Sequence, residues 1–228
     1  MNRILVILLA LSAPLTANAL NVFACEPEWG ALTKEIAGDT ATITTGTTAF
    51  QDPHHVQAKP SLIAATRGAD LVICSGADLE IGWLPLLLRS SGNPRIQVGS
   101  RGYFLASDYV RKLEVPKVVD RSQGDLHPQG NPHIQLNPHN IERVARELTD
   151  RLVQLDGANE ALYRKNAADF LARWGDAELE WEDEAADLAD TRLVSYHTSF
   201  SYLADWLDHE ITQTESRRAF LAGYLDRV

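Results

Sequence analysis

The stretch "NVFACEPEWGALTKEIAGDTATITTGTTAFQDPHHVQAKPSLIAATRGADLVICSG", residues 21–76, decides the fold. "NVFAC" is a short apolar, strand-like run. "PEWGALTKEIAG" follows it with Trp29, Leu32, Ile36 and Ala37 near helical spacing and Gly38 to close the helix. "TATITT" (40–45) is β-branched and reads as the next strand. "PSLIAATRGA" is a short helix opened by Pro60 and Ser61, and "DLVICSG" is a third strand. Strands alternating with helices argue a parallel α/β sheet. Ligands of such sheets bind in the loops beyond the carboxyl ends of the strands. The "QDPHH" loop follows a strand and lies on that edge, so His54 stands open as a metal ligand, a catalytic base or a surface residue.

Working outward, "LEIGWLPLLLRSSG" (79–92) reads as a helix interrupted by Pro85, and "RIQVGS" (95–100) as another strand. From Asn137, a capping residue followed by Pro138, the pattern turns helical. Ile141, Val144, Ala145, Leu148, Leu152 and Leu155 mark one apolar face. After "LDGAN" the spacing resumes with Tyr163, Ala167, Phe170, Trp174, Trp181, Ala185 and Leu188. Gly175 inside this helix costs up to ~1 kcal/mol against Ala. A helix of about thirty residues, ~45 Å long, is a strut between two lobes; two ordinary helices broken near Gly175 are the alternative. "RLVSY" then opens a second α/β unit, with His197 at the strand's end and a helix from "SFSYLADWL". The remaining twenty or so residues are too few to build a sheet.

Residues 1–19 read as an address. Arg3 precedes the apolar run "ILVILLALSAPL", and "ANA" (17–19) has the small-x-small pattern of a signal-peptidase site, which predicts cleavage after Ala19 and export. Bulky Phe23 makes Cys25 a poor lipidation site. The formal charge is −10, and removing residues 1–19 takes away Arg3 as well. That excludes nucleic acid and anionic lipid as partners and suits a cationic cargo, although an acidic surface is also simply a soluble one. The two cysteines end strand-like runs. If those strands are neighbours, Cys25 and Cys74 are within reach of a disulfide. Neither has a second cysteine at zinc-ligand spacing.

Three of the seven histidines share a context. His54 and His133 each follow a proline in a loop, and His197 ends a strand. Neutral imidazole suits Zn²⁺, and three such ligands leave a fourth position open. The segments "DPHHVQAKPS", "PHIQLNP" and "SYHTSFSYLADW" together resemble the periplasmic substrate-binding components of zinc and manganese ABC importers, over roughly Leu20 to Glu210. Gln135 stands where a Trp is common in that family.

The resemblance implies two parallel-sheet α/β lobes joined by a rigid helix: an N-terminal lobe over 20–136, helices over 137–190, and a C-terminal lobe beginning at 191–228. It implies metal ligands at His54, His133 and His197, and imidazole-rich ligation favours Zn²⁺ over Mn²⁺. It also implies delivery to a membrane permease, a periplasmic metallochaperone as a further partner, and a monomer without enzymatic activity. His55 is expected behind the ligand or in solvent. His127, in "SQGDLHPQG", is the one candidate for metal capture beside its reading as a solvated loop residue, and His139 and His209 are expected on helix surfaces. In the family the second lobe continues with a fourth ligand, carboxylate or His. "ITQTESRRAFLAGYLDRV" (211–228) does not resemble that continuation, so a truncated or frame-shifted product with an incomplete second lobe is expected. The readings from other classes are a zinc hydrolase or hydratase using the open position, and a metal-dependent adhesin or a degenerate, non-transporting fragment. No His-Glu-x-x-His, Gly-x-Ser-x-Gly or phosphate-binding glycine loop supports an enzyme.

Overall fold

The structure, a computed structural model, describes residues 19–118, 127–188, 191, 193–195, 197–208 and 211–213. The expected signal sequence (1–19) therefore lies almost wholly outside the described residues, as does His209. Four strands, β1 (Leu20–Ala24), β2 (Ala41–Thr45), β3 (Leu71–Cys74) and β4 (Tyr103–Leu105), form a parallel sheet in the order β2-β1-β3-β4. The period-two alternation of strand side chains gives it two buried faces. Val22, Ala24, Leu71 and Ile73 pack with α1 (Pro27–Ala37), α4 (Pro138–Leu155) and α5 (Glu160–Ala185). Phe23, Val72 and both cysteines pack on the other face, against α2 (Pro60–Gly68) and α3 (Leu84–Ser91). Full burial of an aliphatic or aromatic side chain is worth ~1.5–3 kcal/mol, so both faces contribute to stability.

Prolines start the helices here. Pro27, Pro60, Pro85 and Pro138 each occupy a first-turn position, where the missing N–H breaks no bond. Pro85 thus begins α3 instead of interrupting a longer helix, and residues before Leu84 form a turn. The reading of "RIQVGS" as a strand is also corrected. Asn93 accepts from the amide of Arg95 and caps a short 3₁₀ turn, Pro94–Ile96. Its own amide group donates to the carbonyls of Thr66 and Ala69. Ile96 is buried, but Val98 is 75% exposed, so the alternation does not continue. The strand comes later, after Gly102, where any side chain would collide with the carbonyl oxygens of Arg95 and Asp70.

The loop after β3 supports the loop that carries His54. Gly76, Ala77 and Asp78 all take positive φ, and the buried Glu80 carboxylate accepts the Gly76 N–H at 3.1 and 3.2 Å. A Cβ on Gly76 would lie 2.6 Å from Ser107 Oγ, which explains the glycine. Burial pushes the Glu80 carboxyl up to about 7, and Glu26 beside it is raised by burial and by the Glu80 charge. Further along, the Trp83 ring N–H donates to the carbonyl of Pro53 at 2.8 Å and ties the two loops together.

Helix α5 runs unbroken through Gly175 for 26 residues, ~39 Å at 1.5 Å per residue. Tyr163, Ala167 and Phe170 bury its first half against the sheet's helices. Near its other end, Glu182 accepts from the ring N–H of Trp206 on α6 (Ser201–Leu207). The strands β5 (Leu193–Ser195) and β6 (Ile211–Gln213) pair in parallel. A second, two-stranded sheet therefore forms where too few residues had been expected for one. Among the described residues, no helix is long and apolar enough to cross a membrane.

Cys25 and Cys74, side by side at the carboxyl ends of β1 and β3, form a disulfide across 49 residues of sequence. Closing a loop of that length is worth ~4 kcal/mol in the chain-entropy account. Thiol labelling of unreduced protein should find no reactive cysteine, and the Cys25→Ser/Cys74→Ser double variant should lose ~2–5 kcal/mol in chemical denaturation. Two reactive thiols, or an unchanged midpoint, would contradict the assignment.

Candidate metal centre

Two loops and the end of β5 meet in one cleft. His54 lies between β2 and α2, His133 just before the 3₁₀ turn Ile134–Leu136 that leads into α4, and His197 after β5. One donor nitrogen from each of His54, His133 and His197 can be chosen so that all lie within 4.8 Å of one another. The Nε2 atoms of His133 and His197 are 3.3 Å apart. Ligand nitrogens around a tetrahedral ion with bonds of ~2.0–2.1 Å are ~3.3–3.4 Å apart, so this pair already has the spacing of one tetrahedral edge.

The His54 ring is aimed by its surroundings. The Asp52 carboxylate accepts from the His54 amide at 2.9 Å and from its Nδ1 at 2.7 Å. A proton held on Nδ1 in this way leaves the Nε2 lone pair directed into the cleft. Burial alone would raise the Asp52 carboxyl, but the amide and ring of His54, with the nearby His55, bring it below the usual range. The Asp-Pro-His order thus puts the ring's positioning partner two residues ahead of it. His55 is exposed, its ring centroid 6.2 Å from that of His54.

His133 is buried, and the Asn131 side chain accepts its amide N–H at 2.9 Å. The same Asn131 donates to the Thr198 carbonyl at 2.7 Å and to Glu114 at 2.8 Å. Tyr202 on α6 donates to the Asn131 carbonyl and accepts from the amide of Leu113. An ion pair from Arg111 to Asp205 adds a further tie at 2.8 Å. Asn131 therefore couples the positions of His133 and His197. Desolvation, reinforced by His197, His54 and His127, pushes the His133 pKa down to about 3, so its ring is neutral across the physiological range.

The cleft also holds a residue that sequence reading left between capture and solvent. His127 Nε2 lies 3.2 Å from His54 Nε2. Asp52 and Asn131 were not singled out from sequence; the Asx-Pro-His pattern shared by "DPH" and "NPH" was the available signal. Two other groupings are not part of the cleft. The sulfurs of Cys25 and Cys74, near Glu80, are used in the disulfide, and His139 on α4 faces Glu178 on α5 at 3.3 Å.

The family model described as "Zinc-uptake complex component A periplasmic" (ZnuA) matches residues 22–218. The chain belongs to this family of substrate-binding proteins of metal ABC transporters, which are transport components and not enzymes. It is 31% identical over 142 residues to the manganese ABC transporter substrate-binding lipoprotein PsaA of Streptococcus pneumoniae, covering 61% of this chain and 43% of the relative. It is 24% identical over 193 residues to the iron ABC transporter substrate-binding lipoprotein MtsA of Streptococcus pyogenes serotype M1, covering 82% and 59%. A crystal structure of ZnuA has the same fold, with a TM-score of 0.74 at 23% identity over 91% of this chain and 77% of that one. The chain spans about half the length of the curated relatives it matches. Membership in this family removes the hydrolase reading.

The geometry ranks three substitutions in one loop. His54→Ala should weaken metal binding by several kcal/mol out of a total of order 10. Asp52→Asn, which leaves the ring but loosens its aim, should cost about 10- to 100-fold in affinity. His55→Ala should cost less than either. A chelator-competition assay on the three variants checks the order, and a larger loss from His55→Ala would contradict it.

Proposed function

We propose that the chain is an exported, periplasmic solute-binding protein that captures one Zn²⁺ at His54, His133 and His197 and delivers it to the membrane permease of an ABC importer. The observation that carries this reading is the convergence of three imidazole donors within 4.8 Å from three separate segments. Related proteins are named for manganese and for iron, so the choice of metal rests on the donor set. Neutral imidazole favours zinc, whereas manganese prefers harder, oxygen-rich, six-coordinate sites. The acidic chain, at −10, adds a field that favours a cation. Export with cleavage after Ala19 belongs to the same reading. Lipid attachment at Cys25, by contrast, is disfavoured because its sulfur is held in the disulfide.

Calorimetric titration of the full chain should show one Zn²⁺ bound. Protons compete with metal for imidazole, so affinity should fall as pH drops from about 7.5 to about 5. His133 adds nothing to that loss, because its ring stays neutral until the pH nears about 3. A stoichiometry of two, binding indifferent to pH, or Mn²⁺ competing with Zn²⁺ at equal concentration would overturn the proposal.

A further inference from the structure

The four imidazoles of the cleft form two close pairs. His54 and His127 approach through Nε2 at 3.2 Å, and His133 and His197 through Nε2 at 3.3 Å. Both separations match the ~3.3–3.4 Å edge of a tetrahedron of nitrogens around Zn²⁺. The donor atoms of His54, His133 and His197 all lie within 4.8 Å of one another, and His127 joins them through its approach to His54. The His54 ring links the pairs, with centroids 5.2, 5.9 and 5.7 Å from His127, His133 and His197.

The backbone around His127 is fixed from two sides. The Gly130 amide donates to the His127 carbonyl at 3.0 Å and closes a turn, and the Asn131 amide donates to Leu113 at 2.8 Å. Gln129 donates to Asp78 in the loop after β3 at 2.8 Å. Gly130 has φ +104, and a Cβ there would lie 2.9 Å from the Leu113 carbonyl, so this turn depends on glycine. The turn that presents His127 thus ends at Asn131, the residue that positions His133.

We propose that His127 is the fourth metal ligand, completing a closed, all-imidazole tetrahedral shell that selects Zn²⁺ over Mn²⁺. This rests on the reading of His54, His133 and His197 as a metal site. Four imidazole nitrogens offer no hard oxygen donor, which a six-coordinate ion such as Mn²⁺ prefers. The rival role for His127 is a hydrogen bond to His54. With the His54 Nδ1 proton committed to Asp52, His127 would donate its Nε2–H to the His54 lone pair.

Co²⁺ is the probe, because its visible absorption reports coordination geometry, with Zn²⁺ and Mn²⁺ affinities measured alongside on the full chain. Wild type should give the intense band of tetrahedral Co²⁺. His127→Ala should alter that band and weaken Zn²⁺ by about 100-fold or more, beyond the ~10- to 100-fold cost of losing a supporting contact. His127→Asp, which supplies a harder donor, should move the Zn²⁺/Mn²⁺ preference toward Mn²⁺ by about tenfold or more. His127→Gln retains a hydrogen-bond donor, so recovery of wild-type affinity and spectrum by this variant would overturn the proposal. An unchanged Co²⁺ spectrum in His127→Ala would do the same, provided that His133→Ala abolishes binding. If His133→Ala binds as wild type does, or wild type binds neither Zn²⁺ nor Co²⁺, the three-histidine reading itself fails.

Discussion

Neutrality of a buried imidazole is the constraint on which the cleft depends. His133 sits among three other imidazoles with little access to water, and a charge there would be both desolvated and repelled. Its ring therefore offers a lone pair at any pH a living cell meets. Asp52, partly exposed at the rim, is the carboxylate that faces His54, and it accepts the ring proton on the side away from the cleft. The proposed preference for a borderline cation over a hard one rests on this division, with the carboxylate at the rim and the neutral His133 nitrogen inside.

The scaffold's contribution is to bring distant segments to one point. Parallel strands end together, so the loops after β2 and β3 emerge on either side of β1 at the sheet's carboxyl edge. The disulfide joins β1 and β3 at that same edge, and Trp83 ties the His54 loop to the loop after β3. Asn131 then joins two segments that no sheet bond connects, through its contacts to the Thr198 carbonyl and to Tyr202. An Asn131→Ala change would leave the buried His133 amide without its partner, which is costlier than losing the hydrogen bond itself.

Local signals in the sequence located most of the fold. The β-branched runs, the prolines at helix starts and the Asn137 cap each act over a few residues, and the α/β alternation with its long helix follows from them. Where the reading failed, a non-local contact was responsible. "RIQVGS" has apolar residues at strand spacing, but Asn93 is pulled back to Thr66 and Ala69, and the strand is deferred past Gly102. Pro85 reads as a break because the turn before it, held by Glu80, has no signature of its own. At the cleft, motif context pointed to His54, His133 and His197, while the position of His127 beside His54 depends on a turn anchored to Leu113 and Asp78. Seventy-three residues separate His54 and His127, and nothing in their spacing predicts a 3.2 Å approach.

A metal held as proposed sits in a nitrogen-only, four-coordinate shell. X-ray absorption at the zinc edge of the loaded, full-length chain tests it most directly. Four nitrogen scatterers are expected at ~2.0–2.1 Å, with the outer-shell signature of several imidazole rings and no sulfur at ~2.3 Å. A sulfur shell, or five to six oxygen-rich ligands at longer distance, would contradict it.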